Sequence, residues 1–411
     1  MNSNPIENKA QTAVSTQSNK RNARVNPNRI YRLIGEVDRP FLIIIIALVC
    51  IGSVMIFSAS YAVAETRFND SYHFARLQVR WVLIGLAIMA LVARLKLFDY
   101  NFFRKNAYLI YAATLVLNYL VPFFGKTNKG ATRWFVFWGI EFQPSELLKF
   151  ALVLACSAYI SNHAKEMKNL RTGALPLFFL TLPAAVATLM QKHLSATIII
   201  LSLMVVMMWL SGLKGFYFGL VLGAGAVVGT FFLTIGKGIL GAALPHAVER
   251  LDIWENPFAF MSYESGGLGW QPAQSLYAIA SGGFWGLGLG QSNQKHGYLP
   301  EPQNDYIFAI LAEELGFFGV VCVIALFGVL VYRGYYISKN SPNRFSSLLS
   351  MGITVQIIVQ VLFNLAVVTN TFPSTGISLP FFSYGGTSLI ILLAEMGVVL
   401  SISRYSFIEQ G

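Results

Sequence analysis

The chain has 411 residues, 55% of them apolar and only 12% charged, about half the charged share of a water-soluble domain, so an ordinary soluble globule is excluded. A net charge of +11 does not make it a nucleic-acid binder, because Lys and Arg fall in short blocks between apolar runs and form no basic face. The pattern is that of an all-α integral membrane protein.

Residues 1–39 carry 10 of the 49 charges, are rich in Asn, Ser, Gln and Arg, and lack a periodic apolar pattern, so they read as a disordered arm. Ten apolar runs follow within 40–405: Phe41 to Tyr61, Leu77 to Leu95, Ala107 to Phe124, Glu146 to Ile160, Ala174 to Met190, Leu194 to Leu210, Phe216 to Ile235, Tyr306 to Tyr332, Leu348 to Val368 and Leu389 to Ile402. The first is long enough to stay in the membrane, so it is not read as a cleaved leader. Residues 406–411 form a short tail. An even number of spans puts both ends on one side. Of the 30 basic residues, 19 lie on the side of the N-terminus and 10 on the other, with Lys149 inside a span, so both termini are expected in the cytoplasm. Cys50, Cys156 and Cys322 stand singly in apolar runs, and no disulfide or zinc site is expected of them.

One link stands out by length, from 236 to 305 between spans seven and eight, and a connection that long in a compact membrane domain usually carries function. Its tryptophans (Trp254, Trp270, Trp285), its glycines and apolar pieces such as Ser275 to Ala280 suggest an interfacial or re-entrant helix folded onto the outer face.

Three stretches carry candidate chemistry. The first, Tyr298-Leu299-Pro300-Glu301-Pro302-Gln303-Asn304-Asp305, runs straight into span eight. Asp305 there is either a helix cap or a partly desolvated carboxylate able to take a proton from a hydroxyl. The second is Lys129-Gly130-Ala131-Thr132-Arg133-Trp134, followed by Gln143-Pro144-Ser145-Glu146-Leu147-Leu148-Lys149. Glu146 and Lys149 are spaced for a local ion pair. Lys149 nevertheless lies a turn into a span, where a cation is costly, and with Lys126, Lys129 and Arg133 it could neutralise a diphosphate. The third is the uncharged, Gly- and Pro-rich run from Pro373 to Ser388, either a rigid connector or a re-entrant loop. Glu313, Glu314 and Glu395 lie inside spans and would equally suit a proton relay, so a lipid flippase stays open beside an enzyme, as does a non-enzymatic scaffold for division proteins.

Taken together at these residues, from Asp38 to Arg404, the chain resembles the SEDS family (shape, elongation, division and sporulation) of membrane glycosyltransferases that polymerise peptidoglycan from lipid II. The stretch Gly286-Leu287-Gly288-Leu289-Gly290-Gln291-Ser292 and its continuation to Glu301 is similar to the FtsW and SpoVE branch rather than RodA. The resemblance implies ten spans, a bacterial plasma-membrane location and Asp305 as the essential carboxylate. It also implies inverting displacement of undecaprenyl diphosphate to give a β-1,4 glycan during division or sporulation. Arg133, Lys149 and Lys295 are then expected around the phosphates, Glu146 to orient Lys149, Glu301 beside the substrate, and Ser383 in the loop that shapes the cavity. It leaves room for a divalent cation, Mg or Mn, calls for no organic cofactor, and implies a class B penicillin-binding protein and other divisome proteins as partners. Two departures weaken any second catalytic carboxylate. Gln191-Lys192-His193 stands where relatives commonly read Gln-Pro-Asp, and Gly297 stands where some carry an acid.

Overall fold

The computed structural model describes residues 29–31, 36–95, 99–128, 131–220, 222–223, 245–259, 269–405 and 407–409. The helices in chain order are α1 (Arg39–Phe68), α2 (His73–Arg94), α3 (Tyr100–Phe124), α4 (Pro144–Asn162), α5 (Leu175–Met190, entered through a π-turn at Leu170–Ala174), α6 (Leu194–Leu210), α7 (Pro245–Glu255), α8 (Trp270–Gly282), α9 (Ile307–Lys339), α10 (Arg344–Val368) and α11 (Gly386–Ser403). The strands are β1 (Arg29–Tyr31), β2 (Lys126–Asn128), β3 (Ala131–Phe137), β4 (Ile140–Phe142) and β5 (Phe407–Glu409).

Among the described residues eight segments, α1 to α5 and α9 to α11, are long and apolar enough to cross a membrane, and α6 is a shorter apolar helix of 17 residues. Lipid offers no partner to backbone amides, so each apolar run must satisfy its hydrogen bonds internally, as a helix does. The seventh expected span, Phe216 to Ile235, lies mostly outside the described residues; 215–220 and 222–223 are helical. Helix ends obey local chemistry. Asp38 caps α1 by accepting from Phe41 N at 2.9 Å with Pro40 in the first turn, and Asn343 and Ser346 form a capping box on α10. Of the expected arm and tail, 29–31 and 407–409 pair as antiparallel strands β1 and β5, 36–39 lead into and open α1, and the rest lies outside the described residues.

Apolar side chains of α1, α9, α10 and α11 share one core, α11 lies along α2, and α3 lies along α4. The α4 helix is the most enclosed span, with 78% of its apolar window buried, so a charge on it must find its partner within the protein. The α9 helix is broken at Gly316 (φ 66°, ψ −170°). Across the break, the carbonyls of Glu313 and Glu314 accept from Leu287 N and Gly288 N, and Phe317 N and Phe318 N donate to Gly283 O and Phe284 O. Residues 283–288 of the long link therefore dock edgewise on an interrupted span. The expected helix around Ser275 to Ala280 is α8, packed on α9.

The run from Pro373 to Ser388 is re-entrant. A Cβ built on Gly52, halfway along α1, would lie 2.3 Å from Phe381 O, and the rings of Phe381 and Phe382 lie 6.4 and 5.9 Å from that of Phe327 of α9, tilted against it. The sequence reading did not foresee the three-stranded sheet β2-β3-β4 between α3 and α4. Its strands are too short and irregular to show a period of two.

Candidate functional site

The links α3–α4, α5–α6 and α10–α11 and the entry to α9 all lie on one face of the helical layer, and their polar side chains meet there. Asp305 immediately precedes α9, and its backbone carbonyl accepts from Asn364 Nδ2 of α10 at 2.8 Å. Its carboxylate lies against Gly376, where an added Cβ would be 2.9 Å from Oδ2 and where φ is 71°. Only glycine takes that conformation without strain and leaves that room. Arg133 on β3 donates from its NH2 to Lys192 O at 2.7 Å, while its Nε has no hydrogen-bond partner. Burial and the charge of Arg250 draw the Arg133 pKa down from its ordinary value, and the carboxylate of Asp305 opposes them. An arginine stays charged through such a shift.

The turn at Gln191-Lys192-His193 is fixed from three sides. Gln191 Nε2 donates to Asn118 O at 2.9 Å, Lys192 takes a left-handed φ of 55°, and His193 packs on the start of α4. Gln143 Nε2 donates to His193 Nε2 at 3.4 Å, which assigns the imidazole proton to Nδ1, 3.2 Å from Ser145 Oγ. Burial first, then Arg133 and Lys149, hold this histidine well below the usual imidazole range. It is a neutral spacer between two cations.

Beyond it, Lys149 (1% exposed) pairs with Glu146 at 2.8 Å. Glu146 opens onto a cavity also lined by Gln356, Gln360, Ser378, Ser383 and Glu395. Ser383 Oγ accepts from Leu379 N at 2.7 Å, which holds the re-entrant loop closed on itself. A polar seam thus runs from Asp305 through Arg133 and His193 to Lys149, Glu146 and the Ser383 loop.

Two expected residues stand elsewhere. Lys295, read from sequence as a phosphate ligand, is fully buried on Glu314 at 2.8 Å, beside Ser58 and the Tyr61 ring. Glu314 lies nine residues along α9 from Asp305, about 13 Å by helical rise. Glu301 is on the rim, 3.7 Å from Arg67 of α1. Lys129 falls outside the described residues. Glu313 accepts from Ser281 Oγ, Ser292 Oγ, Asn293 N and Gln294 N, so Glu313 and Glu314, two of the three acids read as a possible relay, fasten the long link to α9, while Glu395 accepts from Gln356 Nε2 at 3.0 Å. Arg250 on α7, which acts electrostatically on both Arg133 and Tyr306, escaped the sequence reading because it sits in a link without periodicity. His193 was seen only as a departure. Among the described residues no three His, Cys, Asp or Glu side chains gather into a ready-made metal site.

A carboxylate flanked by guanidinium and continuous with a buried lysine, set at one face of a multi-pass helical membrane protein, offers a proton acceptor beside cations that could hold an anion. The chain belongs to the FtsW, RodA and SpoVE family, described as cell cycle proteins, whose model matches residues 39–407. Stage V sporulation protein E of Bacillus subtilis is 36% identical over 376 residues, covering 90% of this chain and 97% of that protein. A probable peptidoglycan glycosyltransferase FtsW of Geobacter sp. is 35% identical over 377 residues, with 90% and 98% covered. Among solved structures, a chain of a peptidoglycan synthase complex that coordinates polymerization and crosslinking superposes with a TM-score of 0.70 at 28% identity, covering 90% of this chain and 98% of that one. The rod shape determining protein RodA of Thermus thermophilus gives 0.64 at 26% identity, with 90% and 97% covered.

Proposed function

We propose that the protein is a peptidoglycan glycosyltransferase that polymerises lipid II into β-1,4 glycan strands for septal or sporulation wall synthesis, with Asp305 as general base. In this reading ten helices span the membrane, both termini are cytoplasmic, and the seam faces outward, where the lipid-linked disaccharide is presented. The observation that carries it is the placement of Asp305 against Gly376 and within the field of Arg133, at the mouth of the Lys149 and Glu146 seam.

The chemistry follows from the groups. An acceptor sugar 4-hydroxyl is a poor nucleophile at neutral pH, so a positioned carboxylate accepts its proton as the oxygen attacks the anomeric carbon. The bond from that carbon to the diphosphate breaks, and its electron pair leaves on the phosphate oxygen. A diphosphate is already a good leaving group and needs charge neutralisation more than a proton, the part given to Arg133 and Lys149. Glu146 holds Lys149 in place, and the loop at Ser383 shapes the cavity wall. With one carboxylate at the mouth, a single displacement with inversion is the consistent stereochemistry, since retention needs a second acid as nucleophile. A class B penicillin-binding protein, crosslinking the emerging glycan, and other division proteins are the partners this reading assigns.

The test is glycan polymerisation from labelled lipid II by the purified protein with its transpeptidase partner, comparing wild type with Asp305→Asn at matched expression and fold. Polymer should fall by at least about 100-fold in the variant. Equal polymer from both would remove Asp305 from the chemistry.

A further inference from the structure

We propose that Arg250 is a second guanidinium of the site, carried in by the long link on α7, and that it binds the diphosphate of the substrate together with Arg133; this rests on the reading of the substrate as a lipid-linked diphosphate. The carrier is well seated. Trp254 Nε1 donates to Asn370 O at 3.0 Å, Asn370 Nδ2 returns a bond to Trp254 O at 3.2 Å, and Leu251 and Ile253 are buried. One turn before Trp254, Arg250 NH1 donates to Ser374 O at 2.6 Å.

That bond belongs to a larger device. Four consecutive carbonyls, Ser374 to Ile377, are each taken by a side chain from another element: Ser374 by Arg250, Thr375 and Gly376 by Ser195 Oγ of α6, and Ile377 by Asn364 Nδ2 of α10. The same Asn364 amide holds Asp305 O, and Gly376 is the residue against which the Asp305 carboxylate rests. Segment 374–377 is therefore the wall of the site, and Arg250 is the cation fastened to its upper end. Both Arg133 and Tyr306 lie within the electrostatic reach of Arg250 and of Asp305. Two guanidiniums around one carboxylate leave net positive charge, the balance that favours a ligand with more than one negative charge. A guanidinium has five N–H donors in a fork that matches phosphate oxygens, and the bond to Ser374 needs only one.

A bond to a wall carbonyl would equally suit a purely structural arginine, so the test separates the two. Binding of farnesyl diphosphate and farnesyl monophosphate to the full-length detergent-purified protein is measured for wild type, Arg250→Gln, Arg250→Lys and Trp254→Phe. The last loosens the seat of α7 without touching charge. Arg250→Gln should weaken diphosphate binding about tenfold, the scale of one charge-assisted contact, with monophosphate binding changed far less. Arg250→Lys should be intermediate, and Trp254→Phe should keep the preference for diphosphate. With lipid II and the transpeptidase partner, Arg250→Gln should raise KM by a similar factor with kcat changed by less than about threefold. Wild-type diphosphate binding in Arg250→Gln, or equal losses in Arg250→Gln and Trp254→Phe, would overturn the proposal while leaving glycan polymerisation by the wild type untouched. Wild-type protein that makes no glycan yet shows Arg250-dependent diphosphate preference would sink the glycosyltransferase reading and sustain the binding site.

Discussion

Lys149 and Lys295 are 1% and 0% exposed, and each sits 2.8 Å from a glutamate, but their surroundings differ. Around Lys295 the charges are fully paired, although Gln294 Oε1 next to it in the chain has no hydrogen-bond partner. Glu314 is itself 0% exposed and accepts from Ser58 as well, Tyr61 covers the ammonium, and Glu313 next door takes four further donors from the link. Around Lys149 the pairing is incomplete. Glu146 is 16% exposed and lines a cavity, and along the seam Arg133 Nε, Gln191 Oε1, Thr375 Oγ1 and Tyr306 Oη have no hydrogen-bond partner. A buried cation is thus no signature of a site by itself; a cation whose neighbourhood still has donors and acceptors to offer is. The closed cluster fastens the 282–295 segment to the broken span, and the open one is where the proposed function puts the substrate.

The comparison breaks most sharply at Lys295. Lys295→Met leaves Glu314 as an uncompensated buried charge and should cost about 3–5 kcal/mol, while pairing it with Glu314→Leu should recover most of that loss. Unfolding in detergent reads the stability, and polymerisation per folded molecule should stay near wild type in both. A stable Lys295→Met protein that made no glycan would instead put Lys295 among the phosphate ligands. At the open cluster the balance should reverse. Gly376→Ala forces a side chain into a left-handed backbone and against Asp305, at a stability cost of about 1–2 kcal/mol. Polymerisation should drop about tenfold, because a small displacement of a base is amplified in rate; unaltered turnover would show that the Asp305 carboxylate does not depend on this wall.

The smallest effect concerns His193, which separates the cations. Its folded-state pKa is depressed, so between that value and the ordinary imidazole range the unfolded chain binds more protons than the folded one. Stability is therefore lost as pH falls below about 6.5, by at most about 1.4 kcal/mol per pH unit from this group. His193→Asn keeps a donor toward Ser145 and removes the titration, so its stability should fall less steeply than that of wild type between pH 7 and pH 5.5. Identical slopes would mean that His193 titrates in the folded protein as it does in the unfolded chain.

Much of the architecture was legible in the residues. Leu194 to Leu210 was read to the residue, and other span limits differ mainly because ends such as Phe68 and Lys339 carry helix beyond the apolar stretch. The pairing of Glu146 with Lys149 follows from three-residue spacing, and the re-entrant course of 373–388 was one of the two outcomes its composition allowed. The β-sheet, the partner of Lys295 and the arrival of Arg250 were not legible. These depend on contacts whose register no short-range periodicity encodes.

By itself, then, the amino-acid order determined a membrane-embedded helical protein and singled out Asp305 and Lys149, since lipid forces apolar runs to satisfy their own backbone and makes every charge at its depth costly. Tertiary structure alone decided which cations share the seam. Arg133 meets Lys192 across 59 residues of chain and Arg250 meets Ser374 across 124, whereas Lys295 is claimed by Glu314 only 19 residues away. Partners at such separations are chosen by how the helices pack and where the long link docks, and a buried charge takes the best compensated place that packing leaves it.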